Sequence, residues 1–280
     1  MTTILLPFYD DDASQYAFEL STQLARQTNG YLEGLFVMRR PQIFEGDGDL
    51  LADSYFTQLN EECRRLADQA RARFETCATD QGLAIEAVDA SHGLAAGWRE
   101  IEGVEAQVLG SHGRLCDLIV VGRKAGHPWL DWRVMAESAL FESGRPVMLT
   151  PEKRSATFGE HVLIAWNSST ETARTVAFAM PLLLRARTVT VLSVEGWGSP
   201  GPSGKELAVY LARAGVPATA RTVDPAASAA GETILLECAR SGADLLIKGA
   251  YTQSRLRQLI FGGATRHILA QAQIPVVLAN

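Results

Sequence analysis

The sequence predicts an α/β fold built twice, each copy an open five-stranded parallel sheet with helices on both faces. Three observations carry this. The first is internal similarity: TTILLPFYDDDASQYAFELSTQLA, from Thr2, resembles EHVLIAWNSSTETARTVAFAMPLL, from Glu160, and each reads as an apolar strand, a polar turn and an amphipathic helix. CDLIVVG ending at Gly122 matches ADLLIKG ending at Gly249, and GRPVMLTP ending at Pro151 matches QIPVVLAN at Asn280. The second is regular alternation of strand and helix with short connections, which implies parallel strands because a parallel crossover needs a helix to bring the chain back. The third is that DLIVV and DLLI are apolar on both faces, as strands buried between two helical layers must be.

The elements follow in order in the second copy. HVLIAW precedes a helix over Thr170–Leu184, TVTVLSV one over Gly204–Ala214, PATARTV one over Ala229–Ser241, and DLLIKG one starting near Gly263, with PVVLA closing the sheet. The first copy begins alike, but the spacing between matched positions shrinks from the first strand (Ile4 with Val162) to the fourth (Gly122 with Gly249), so it carries a mid-copy insertion. We place that insertion at Arg39–Asp80. There Leu59, Cys63, Leu66, Ala70, Phe74 and Cys77 recur at steps of three or four and mark the apolar face of a long added helix. PEKRSATFGE, Pro151–Glu160, breaks both periodicities, which puts the domain boundary there and divides the chain into 1–153 and 154–280.

Composition narrows function. A hydrophobic fraction of 47% suits a protein with real cores. A net charge of −6 with no long basic run argues against nucleic acid or an anionic membrane as partner. MTTILLPFYDDD has no basic n-region and too short an apolar run for a signal peptide, and no stretch of ~18 apolar residues occurs, so a cytoplasmic location is expected. Cys63, Cys77, Cys116 and Cys238 show no metal-ligand spacing and read as reduced core residues.

GAYTQSRLRQLIFGGATRHIL, Gly249 to Leu269, carries the functional signal. In an open parallel sheet ligands sit beyond the C-terminal strand ends. A helix starting near Gly262 and Gly263 would offer free N–H groups and a positive dipole end to an anion, with Arg255 and Arg257 in the preceding loop. The other reading is that these glycines serve tight turns and a helix cap.

The segment resembles the universal stress protein family, in which G-x-x-G, nine residues and G-[S/T] join the fourth strand to the last helix and bind the phosphates and ribose of ATP. Gly249 takes the first glycine position, Thr252 the second and Gly262 the third; Gly263 stands where Ser or Thr is usual, and Thr265 occupies another position that is commonly Ser or Thr. Both copies together resemble a tandem, Rossmann-like universal stress protein. The resemblance implies an adenine nucleotide such as ATP as cofactor, with Mg as an optional companion, and Val194 at the adenine edge. It also implies pairing of the two copies through their last strands as an intramolecular pseudo-dimer, with a homodimer as a further option. Asn167 stands where an Asp usually bonds the ribose; it retains an acceptor, and equally it opens a helix whose Ser168-x-x-Glu171 fits a capping box. Lys248 replaces the usual apolar residue before the first motif glycine, and either meets a phosphate or snorkels from the strand end.

The first copy departs further. Tyr9 stands at the ribose position before Asp10, Asp11 and Asp12, a triplet that reads as a solvated helix start rather than a cation site, and Glu137 and Ser138 fall near the places of Gly262 and Gly263. An acid there competes with a phosphate for the helix end, so this copy is expected not to bind nucleotide. Trp129 and Trp132 either present an aromatic contact surface or cover that crevice. No G-x-S-x-G, H-E-x-x-H or Walker A pattern occurs, and His92, His112, His127, His161 and His267 form no ligand set, so the expected function is nucleotide binding without catalysis. The alternatives are a slow ATPase and a nucleotide-free interaction module.

Overall fold

The computed structural model describes residues 3–39, 49–86, 93–123, 131–152, 154–155, 157–225, 229–250 and 263–280, with side chains of 49–56 excepted. The chain forms two compact units, Met1–Arg145 and Pro146–Asn280.

The first unit runs β1 (Thr3–Pro7), α1 (Asp12–Thr28), β2 (Tyr31–Arg39), α2 (Asp49–Asp80), β3 (Ala95–Gly103), α3 (Glu105–His112), β4 (Leu118–Gly122) and α4 (Trp132–Glu142). Its strands are parallel in the order β3-β2-β1-β4. Asp11 caps α1, its carboxylate accepting from the Ser14 N–H. The expected added helix is instead the ordinary β2–β3 crossover, lengthened: α2 spans 32 residues where the matching helix of the second unit spans 10. Its C-terminal half supplies core, with Ala70, Phe74 and Cys77 buried as the periodicity requires, while Leu59, Cys63 and Leu66 are only half-buried. Gly34 on β2 makes this packing possible, since a Cβ there would lie 2.4 Å from the Phe74 ring.

The second unit runs β5 (Val147–Thr150), β6 (His161–Ala165), α5 (Thr170–Leu183), β7 (Thr188–Val194), α6 (Gly204–Arg213), β8 (Ala218–Val223), α7 (Ala230–Ser241), β9 (Leu245–Gly249), α8 (Gly263–Gln271) and β10 (Val276–Ala279). Five strands are parallel in the order β10-β9-β6-β7-β8, and β5 joins β10 antiparallel. That pairing places β5, the last strand of the first repeat, in the second unit. The compact units therefore meet at Arg145/Pro146, earlier than the boundary expected at 153/154. The strand order turns back between β6 and β9, and the loops at their C-terminal ends diverge there.

The two copies share a close-packed detail. A Cβ on Gly249 would lie 2.5 Å from the Thr172 nitrogen at the start of α5, and one on Gly122 would lie 3.0 Å from Ala13 at the start of α1. Both fourth strands thus end on glycine because a helix start lies directly above them. No disulfide joins the four cysteines, and Cys77, Cys116 and Cys238 are buried. Among the described residues no helix is long and apolar enough to cross a membrane.

Candidate functional site

A crevice of about 600 Å³ opens at the C-terminal ends of β6 and β7, lined by Trp166, Asn167, Ser193, Val194, Trp197, Lys205 and Thr222 among others. Its wall is built from the Gly/Pro/Ser-rich segment that follows β7. The Val194 carbonyl accepts from the Trp197 N–H at 3.1 Å, and the Ser199 N–H donates to the Asn167 carbonyl at 2.9 Å. Trp166 Nε1 and Ser168 Oγ both donate to the Pro202 carbonyl at 2.8 Å. These bonds hold the segment over the end of β6 and keep the two indoles beside the opening.

Asn167 lines the crevice, but its acceptor is used. Oδ1 accepts from Ser169 N at 3.3 Å, Ser169 Oγ at 2.9 Å and Thr172 Oγ1 at 2.5 Å. A carbonyl with three donors has nothing left to accept from a ribose hydroxyl, so what Asn167 offers a ligand is its amide N–H. The expected capping box at Ser168 does not form, and the cap lies one residue on. Ser169, not Ser168, is the N-cap and accepts from the Thr172 N–H, because Ser168 has φ of 62° and leaves the helical path.

Lys248 is fully buried at the end of β9, which rules out snorkelling to solvent. Its Nζ donates to the Gly249 carbonyl at 2.7 Å and to Thr265 Oγ1, in the first turn of α8, at 2.8 Å. Burial drives its pKa down to about 7. Gly263 opens α8 and is exposed, and among the described residues nothing lies within 4 Å of where its Cβ would stand. Gly249 lies under α5, as packing requires with or without a ligand. Thr252, Arg255 and Gly262, together with Arg257, Trp129, His92 and His127, lie outside the described residues. His267 is half-buried and its Cβ faces Gly231 on α7.

The described residues are linked through the interior: Asn167, at the crevice, bonds to Thr172, Thr172 packs on Gly249, and Lys248 reaches Thr265, while of these only Asn167 lines the crevice. Sequence reasoning missed Trp166, Trp197, Ser193, Lys205 and Thr222. The signal for the first two was the run EGWGSPGPSG placed beyond the end of a central strand, where a loop borders the ligand position. Among the described residues no carboxylate lines the crevice and no group of three or more acidic, His or Cys side chains is placed to hold a metal, so the donor set that they offer does not fit Mg.

The corresponding place in the first unit is filled. By strand register Tyr9 and Phe36 stand where Asn167 and Ser193 stand. Their rings lie 5.5 Å apart, and the Tyr9 hydroxyl points to Met135 Sδ on α4 at 4.0 Å. Tyr9 is buried deeply enough that its pKa rises well above the ordinary value, with Glu105 and Asp11 adding to the effect. Phe8, Phe18, Phe74 and Trp98 continue the cluster with edge-on contacts at 5.1 to 6.2 Å. Glu137 does not sit at a helix start, as expected from the motif alignment, because α4 already begins at Trp132. The acid at that start is Asp131, whose carboxylate accepts from the Arg133 N–H. Trp132 is buried beneath Arg133, whose guanidinium carbon lies 4.7 Å from the ring centre, so it presents no exposed aromatic surface. Of the acidic triplet, Asp11 caps α1 while Asp10 and Asp12 pair with Arg73 of α2 at 3.0 and 2.6 Å.

Comparison with known proteins agrees with this architecture. The sequence description of the Universal stress protein family matches residues 160–280. Comparison with curated proteins finds no match. Among solved structures, a universal stress protein from Archaeoglobus fulgidus is similar at 14% identity and TM-score 0.69, covering 99% of this chain and 96% of its own. A putative universal stress protein from Pseudomonas aeruginosa is similar at 15% identity and TM-score 0.58, covering 100% of this chain and 93% of its own. Residues 160–280 belong to the universal stress protein family, and the residues before them carry a second copy of the same fold.

Proposed function

We propose that the second unit binds an adenine nucleotide, ATP or a relative, and that the chain acts in the cytoplasm as a non-catalytic stress-response protein. The observation that carries this is the crevice at the ends of β6 and β7, with two indoles at its wall. A flat base fits against Trp166 or Trp197, and a phosphate fits the free N–H groups at Gly263. Asn167 serves such a ligand as a donor to ribose oxygens. Among the described residues that line the crevice there is no carboxylate to act as base or metal ligand for hydrolysis, which supports the reading of binding without catalysis.

Isothermal titration with ATP, ADP, AMP and cAMP tests the proposal, read alongside tryptophan fluorescence. Saturable heat with one ligand per chain is expected. The rival is a nucleotide-free interaction module, favoured by the pinning of residues 195–203 onto Trp166, Asn167 and Ser168; it predicts no heat with any of the four ligands.

A further inference from the structure

Lys248 is a buried amine, and among the described residues no carboxylate pairs with it. A neutral amine has two N–H donors, and both are used, on the Gly249 carbonyl and on Thr265 Oγ1. An ammonium has a third donor, for which no acceptor is present among the described residues. The surrounding charges do not supply one. α5 carries Glu171 and Arg174 in its first turns; α7 carries Glu232, which is exposed, and Glu237 and Arg240, with Glu237 taken by Arg221 and Arg240; α8 carries Arg266 and His267. β10 has no ionisable side chain and β6 has only His161, at its opposite end. The stretch 250–262 contains Arg255 and Arg257 but neither Asp nor Glu.

Thr265 gives this lysine a route to a ligand. Because its oxygen accepts from Nζ, the hydroxyl is left to donate its own proton, in the first turn of α8, which starts at the exposed Gly263.

We propose that Lys248 is a positioning residue for a phosphate group at the start of α8, acting through the Thr265 hydroxyl, and that it takes up a proton as the phosphate arrives. This inference rests on the nucleotide-binding reading above. Without the anion, burial favours the neutral amine, and the depressed pKa of about 7 is in keeping with that. A phosphate beside Thr265 supplies the negative charge that the ammonium lacks, so its binding and protonation reinforce each other and binding weakens as pH rises above 7. Adenosine, which has no phosphate, lacks this coupling. Inorganic phosphate, if it reaches the same place, shares it.

The test is calorimetric titration of the full chain at pH 8 with ATP, with adenosine and with inorganic phosphate, each in two buffers of different ionisation enthalpy. ATP binding is expected to take up close to one proton per site, adenosine binding none, and Lys248→Met is expected to abolish the uptake while weakening ATP binding about tenfold. Thr265→Val, which keeps the shape and removes the relay, should weaken ATP but not adenosine and provides a second reading if Lys248→Met folds poorly. Uptake with inorganic phosphate alone would show that the anion suffices without the base, and its absence would show that the nucleotide is needed to place the phosphate; both support the coupling. ATP heat without proton uptake, uptake retained in Lys248→Met, or equal uptake with adenosine would overturn this inference and leave nucleotide binding intact. No heat with ATP at any pH would remove both.

Discussion

The same strand positions close one crevice and open the other. In the first unit Tyr9 and Phe36 meet at 5.5 Å and Met135 closes over the hydroxyl; in the second, Asn167 and Ser193 leave about 600 Å³ between the strand ends and residues 195–203. Beneath each lies a strand end packed on a helix start through glycine, Gly122 and Gly249, so the scaffold is kept while its mouth differs. The residue before that glycine differs as well: a buried Val121 in the first unit and a buried Lys248 in the second. Burial of apolar rings stabilises the first unit, whereas the second carries a desolvated amine and a hollow, features that cost stability and so point to a site.

The largest effect we expect tests the shared scaffold. Gly249→Val should destabilise the second unit by more than about 3 kcal/mol, because its Cβ would stand 2.5 Å from the Thr172 nitrogen and a backbone cannot yield cheaply. Gly122→Val should cost less, since its nearest contact is 3.0 Å. Denaturant unfolding of both variants checks the order; equal or reversed losses would break the parallel between the copies.

The second effect sharpens the contrast between Val121 and Lys248. Lys248→Met should stabilise the second unit by about 3 kcal/mol at pH 6, the cost of charging a buried amine less that of the two hydrogen bonds given up. The sign follows from a folded-state pKa lowered from 10.5 to about 7. Between those values the unfolded chain holds more protons, so wild-type stability rises with pH through that window and the advantage of the variant shrinks by pH 10. Thermal melts from pH 6 to pH 10 check this; an advantage that grows with pH would contradict it.

Opening the first crevice should matter nearly as much. Tyr9→Asn with Phe36→Ser copies the second unit into the first, removes two packed rings and should cost about 2 to 4 kcal/mol, read as a lower unfolding midpoint; no loss would mean that the rings are not the filling described here. Arg73→Ala should cost less than about 1 kcal/mol, because its partners Asp10 and Asp12 are exposed.

Much of the fold was legible because it depends on local pattern. The helices from Thr170, Gly204 and Gly263 begin where apolar period and turn residues place them. The long helix was legible as a helix from Leu59 onward, yet its role as the β2–β3 crossover was not, since that depends on which strands it joins. Of the candidate residues, Asn167 and Val194 line the crevice, whereas Lys248 and Thr265 are buried against each other away from its lining, and no spacing told these two situations apart. Asn167 spends its oxygen on Thr172, a residue held there by the turn at Ser168, and Lys248 finds its partner 17 residues away on α8. Tyr9 is filled in by Phe36 and Met135, contacts between distant strands and helices that no spacing announces. Polar satisfaction and side-chain filling are tertiary properties, and both lie where this chain departs from a repeat.

One measurement tests the central claim most directly: ATP titration of the full chain, of Tyr9→Asn with Phe36→Ser, and of Asn167→Tyr with Ser193→Phe, which moves the first unit's rings into the second. The account predicts one nucleotide per chain at roughly micromolar affinity, about −8 kcal/mol, unchanged stoichiometry in the first variant and lost binding in the second. Two nucleotides per wild-type chain, or binding that survives Asn167→Tyr with Ser193→Phe, would contradict it.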